Sequence, residues 1–74
     1  MSNLQQKRKD AGYTQRELAV RSGISLRTLQ YYDQGVLDIN KASASTVYRL
    51  ALALGCPMEE LLTFPASLDE LDDE

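Results

Sequence analysis

Arg27 and Gln30 stand three residues apart in a stretch whose leucines, Leu26 and Leu29, fall at helical spacing. Wound into a helix, Leu26, Arg27, Gln30, Tyr31 and Gln34 occupy positions i, i+1, i+4, i+5 and i+8 and share one outward stripe. Guanidinium and carboxamide groups can each form paired hydrogen bonds to a base edge, arginine to guanine and glutamine to adenine, while leucine offers an apolar contact to a thymine methyl. Such a stripe suits recognition. Covalent chemistry is poorly supplied, because the chain has no histidine and so lacks a Ser/His or Cys/His pair and an imidazole acid or base. The single cysteine, Cys56, cannot close an intrachain disulfide, and without histidine the common zinc ligand sets cannot be assembled. The composition therefore predicts a protein that is not an enzyme, carries no metal or cofactor, and suits a reducing cytoplasm.

A reading stripe needs a scaffold. Of the 74 residues, 43% are apolar and 26% charged, a globular rather than a disordered balance. The length predicts one small domain, expected over residues 1–64, with an acidic tail over residues 65–74. The longest charge-free apolar stretch, Leu50 to Met58, falls well short of the ~20 residues that span a bilayer. Lys7, Arg8 and Lys9 are followed by Asp10, Gly12 and Thr14, where a secretory signal would be apolar. No membrane partner is expected.

Glycines at 12, 23, 35 and 55 divide the chain into short lengths, most of them opened by a serine or threonine. Leu4, Arg8 and Ala11 lie on one face of a first helix ending near Gly12. Thr14-Gln15-Arg16-Glu17 has the form of a capping box and opens a second helix running to about Ser22. Gly23 supplies a left-handed stop, Ile24 plugs the turn, and Ser25 caps a third helix from Leu26 to about Gln34. Val36 to Ala42 reads as a loop anchored by Ile39. Ser43 caps a fourth helix with Val47, Leu50, Ala51 and Leu54 on its buried stripe, and Pro57, Glu59 and Glu60 favour a short fifth carrying Met58, Leu61 and Leu62. The expected fold is all-α, with five helices and a frayed acidic end.

Two helices joined through Ser22-Gly23-Ile24 make a helix-turn-helix, with small Ala19 at the crossing and Leu18, Ile24 and Leu29 apolar where the pair must pack. The second helix of such a pair can enter the major groove of double-stranded DNA. Net charge is −3, yet residues 1–49 hold all eight basic groups against four acids, +4, and residues 50–74 hold seven acids and no base, −7. That is the pattern of a polyanion-binding front followed by an acidic end. An ordinary solvated surface with an acidic terminus gives the same split, so the turn motif carries the argument.

The chain resembles the phage repressor and Cro proteins of the XRE family. The resemblance runs from Leu4 to Leu62 and lies in Leu4…Arg8, Gly12-Tyr13-Thr14-Gln15, Leu18-Ala19, Ser22-Gly23-Ile24-Ser25, Leu29, Tyr32-Asp33-Gln34-Gly35 and Leu50-Ala51…Ala53-Leu54-Gly55. It implies a five-helix domain, bacterial or phage-encoded, that binds operator DNA as a homodimer and regulates transcription, here as a repressor. It also implies that Gln15 and the start of the second helix, with Thr14 and Arg16, touch phosphate. Leu26, Arg27 and Tyr31 would occupy base-reading positions, to which the outward stripe adds Gln30 and the cap position adds Ser25. Lys41, Ser43 and Ser45 are the further phosphate candidates. Tyr31 is bulky where the family often carries Arg, Lys or Gln, so stacking on sugar and phosphate is its other possible role. Arg8 shares a core-facing stripe, where a guanidinium is costly unless paired; Asp33 is the partner that the resemblance implies.

Arg27 to Tyr32 followed by Gly35-Val36-Leu37 also looks like the start of a mercury-regulator (MerR) type domain. That family needs a basic wing after the helix pair, and Asp38 to Ala42 offers no strands for one. A reading from a different class is a small antitoxin or interaction protein, whose acidic C-terminal segment holds a partner such as a toxin while the front half binds its own promoter. Met58, Leu62 and Phe64 suit either the core or a dimer patch. Cys56 is expected to pack as a small apolar residue, and Lys7 and Lys9 to be solvated.

Overall fold

The computed structural model describes residues 3–62, and among the described residues every regular element is helical. Helix α1 spans Asn3–Ala11, α2 Gln15–Ser22, α3 Leu26–Asp33 and α4 Ala44–Leu54, with single 3₁₀ turns at Ile39–Lys41 and Met58–Glu60. Phe64 and the acidic segment 65–74 lie outside the described residues.

The starts of α2, α3 and α4 each have a local cause. The Thr14 hydroxyl accepts from the Glu17 backbone N–H at 3.0 Å while the Thr14 N–H donates to Glu17 Oε1 at 2.8 Å, a complete capping box. Ser25 and Ser43 accept from the Thr28 and Thr46 N–H groups at 3.2 and 3.1 Å. Between α2 and α3 the chain reverses through Gly23 at φ 73° and ψ 23°, whose N–H donates to the Ala19 carbonyl at 3.0 Å. A β-carbon there would meet nothing closer than Arg49 Nη1 at 3.9 Å. The left-handed backbone, and not lack of space, is what calls for glycine.

Two expectations need correction. The stretch Val36 to Ala42 contains a 3₁₀ turn, capped by Asp38 Oδ1 accepting from the Asn40 N–H at 2.9 Å. The fifth helix is a single 3₁₀ turn as well. Pro57 precedes it in an extended conformation and makes no side-chain cap bond, and a segment this short repays little of the cost of nucleating an α-helix.

Among the described residues five leucines are wholly buried: Leu4 from α1, Leu18 from α2, Leu29 from α3, Leu50 from α4 and Leu61 after the last turn. Ala19, Ile39, Val47 and Ala51 complete this core. Burying one leucine contributes roughly 1.5–3 kcal/mol, so every helix is held by its own anchor. Helix α2 packs on α3 and α4, and α1 closes over α3 and α4. Ala11, expected on the Leu4 face, is exposed where α1 ends.

Candidate nucleic-acid interface

Helix α3 is fixed from below by a buried carboxylate. Asp33 has no exposed surface, and it accepts from Arg8 Nε at 2.8 Å, Arg8 Nη2 at 3.2 Å, Gln15 Nε2 at 3.0 Å and Gln5 Nε2 at 3.3 Å. Arg8 Nη1 donates in turn to the Tyr13 carbonyl at 2.7 Å. Burial alone pushes the Asp33 carboxyl up, but the hydrogen bonds from Arg8, Gln15 and Gln5 outweigh it and hold the group below the usual carboxylate range. Asp33 is the only acid in α3, so the exposed side of this helix carries the charge of Arg27 without an acid of its own.

The five candidates for base reading fall into four groups. Arg27 and Tyr31 are exposed, and Arg27 Nε donates to Tyr31 Oη at 3.1 Å. Leu26 is half-buried and packs partly against the core. Gln30 is turned towards α2, where its Nε2 donates to Gln15 Oε1 at 3.3 Å. Ser25 is occupied as the α3 cap, its hydroxyl donating to Thr28 Oγ1 at 2.9 Å.

The phosphate candidates divide in the same way. Thr14 and Ser43 are caps, the Ser43 hydroxyl also donating to Thr46 Oγ1 at 3.1 Å. The Gln15 side chain links Asp33 to Gln30 and faces α3. Arg16, Lys41 and Ser45 are exposed, in the first turn of α2, at the end of the 3₁₀ turn and in the first turn of α4. Neither Arg16 nor Lys41 has an ion-pair partner among the described residues. The first N–H groups of α2 and α4 have no partner within their own helices, and they add positive potential at both places.

Several neighbours were not foreseen. Gln5 joins the Asp33 cluster; its place one turn before Arg8 on α1 is the signal that marks it. Lys7, expected to be solvated, donates to Glu60 Oε1 at 2.6 Å and ties α1 to the last turn; that hydrogen bond raises the lysine's pKa. Arg49 reaches back to the turn at Gly23, and Arg21 stacks over the Tyr13 ring at 4.7 Å. Met58 and Leu62 are half-buried against the core. Cys56 is half-buried too, with burial first and Glu60 second pushing its thiol pKa up.

Compared with known families, residues 4–61 match the model of the helix-turn-helix family. The chain belongs to the XRE-type helix-turn-helix family. No curated protein and no solved structure gives a significant match. As an XRE-type protein it is a DNA-binding transcription regulator, in a family of regulatory domains and not of enzymes. Among the described residues no helix is long and apolar enough to cross a membrane, and no three acidic or cysteine side chains gather where they would hold a metal ion. In XRE terms α2 and α3 are the helix-turn-helix, and the Asp33 cluster braces α3, the helix such pairs place in the major groove, against α1 and α2.

Proposed function

We propose that this chain represses transcription by occupying a specific operator as a homodimer. Arg27 reads a guanine from the exposed side of α3, with Leu26 and Tyr31 beside it. Arg16, Lys41 and Ser45 grip phosphate, together with the open N-terminal turns of α2 and α4 that Thr14 and Ser43 cap. The observation that supports this best is the treatment of charge on α3: its acid is buried and neutralised by Arg8, which leaves Arg27 facing outward with no carboxylate bound to it among the described residues. A guanidinium so presented matches the O6 and N7 acceptors of guanine. Dimerisation follows from size, because one such module buries little DNA surface and two-fold operators reward a symmetric protein.

The test begins by selecting preferred duplexes from a random library. Binding should prefer the selected duplex to a scrambled one and weaken steeply with salt. Half-sites should lie about one helical turn, ~34 Å, apart. Sedimentation with and without that duplex gives the stoichiometry; one protomer per site throughout would remove the homodimer. Transcription in vitro from a promoter carrying the selected site should fall on adding the protein, and a rise would identify an activator.

A further inference from the structure

We infer that Tyr31 is a positioning residue for Arg27, its hydroxyl holding the guanidinium so that both terminal nitrogens meet the guanine together. This rests on the reading of Arg27 as the guanine contact. Arg27 Nε donates to Tyr31 Oη at 3.1 Å, and Arg27 Cζ lies 5.9 Å from the centroid of the Tyr31 ring. The two residues are four apart on α3, hence one above the other on the same exposed face.

A guanidinium carries five N–H donors in a fixed plane. With the Nε–H given to Tyr31, the donors that remain are those of Nη1 and Nη2, the end-on fork that spans two neighbouring acceptors such as O6 and N7 of guanine. An unrestrained arginine must give up its rotamer freedom when it binds, whereas one already tied to a hydroxyl and lying beside a ring face has lost part of it beforehand. The Tyr31 hydroxyl has accepted one bond and retains its own proton, so a bulky ring at this position can act with no base of its own to read. Gln30, on the neighbouring position of the stripe, is already bonded to Gln15. The outward face of α3 is therefore centred on Arg27 and Tyr31.

The experiment is a double-mutant cycle in the full chain. Wild type, Tyr31→Phe, Arg27→Ala and the double variant are titrated with the selected duplex, with the same duplex altered at its guanine, and with a scrambled duplex. Tyr31→Phe keeps the ring and removes only the hydroxyl acceptor. It should weaken binding to the selected duplex about threefold to tenfold, the scale expected for one side chain that must be ordered on binding. Binding to the scrambled duplex and the thermal midpoint should not change, and adding Tyr31→Phe to Arg27→Ala should have no further effect. If Tyr31→Phe weakens both duplexes equally, or costs as much with Arg27 absent, Tyr31 touches DNA directly and the inference is overturned. No loss on the selected duplex overturns it as well. Should Arg27→Ala itself leave the guanine preference intact, the reading of Arg27 fails first, an outcome distinct from a failure of Tyr31 alone.

Discussion

Arg8 and Asp33, 25 residues apart in the chain, meet with Arg8 Nε 2.8 Å from Asp33 Oδ1 and no solvent reaching the carboxylate. The pair fastens α1 to the C-terminal end of α3. Two glutamine amides and the Tyr13 carbonyl take up further hydrogen-bonding capacity of the pair, which is the condition under which a buried ion pair is tolerated.

Removing one partner should therefore be expensive. Asp33→Ala leaves the Arg8 guanidinium poorly solvated beside an apolar core and should cost ~3 kcal/mol, a large share of a small domain's stability. Chemical denaturation measures it. A loss within ~0.5 kcal/mol, as at an ordinary surface site, would show that the pair does not hold α3.

The same carboxylate sets a pH dependence. Its folded pKa lies below the ordinary value of ~3.9, so on acidification the unfolded chain takes up the proton first. The stability it contributes is fully present well above that ordinary value and is lost as pH falls through the lower folded value. The gap in unfolding free energy between wild type and Asp33→Asn should be flat from about pH 7 to pH 5 and should narrow below ~3.9. Urea titrations across that range test it; a gap that stays constant to the acid limit would exclude Asp33 as the titrating group.

Gly23→Ala should destabilise by ~1–2 kcal/mol, the cost of holding a β-carbon in the left-handed region. The added methyl meets only an ordinary contact with Arg49, so the penalty is one of backbone conformation. Thermal melts of the two proteins decide this, and an unchanged midpoint would mean that the turn relaxes.

On DNA, reading and holding should fail differently. Arg27→Ala should cost ~1–3 kcal/mol on the selected duplex and little on a scrambled one. Lys41→Ala should weaken both and reduce the salt slope by ~1 per protomer. Titrations over a salt series separate the two; equal weakening of both duplexes by Arg27→Ala would make Arg27 a phosphate anchor.

The acidic residues from Asp69 to Glu74 repel phosphate. A chain ending after Phe64 should bind DNA at low salt as well as the full chain or better. Collapse of binding in a truncated chain that still folds would place that segment in the dimer contact or the site.

How far the sequence reaches depends on the range over which each interaction acts. Helix starts at Thr14, Ser25 and Ser43, the stop at Gly23 and the leucine anchors are all set within three or four residues, so a linear string carries them whole. The helix-turn-helix and the outward stripe of α3 are legible for that reason. Periodicity, however, gives only the angle at which a side chain leaves its helix and says nothing of what stands opposite. Gln30 and Arg27 share one stripe, yet the packing of α2 against α3 draws Gln30 to Gln15 and leaves Arg27 with Tyr31. Lys7 stays at the surface as a solvated lysine, but only the fold brings Glu60, 53 residues away, within 2.6 Å of it. The last turn stays 3₁₀ because α-helix formation is cooperative, and three residues between Pro57 and the Leu61 anchor are too few for local propensity to repay it. Local signals determined where α1 to α4 form and end; the crossing of α1, α2 and α3 decided which of their polar groups face one another and which are left to face outward.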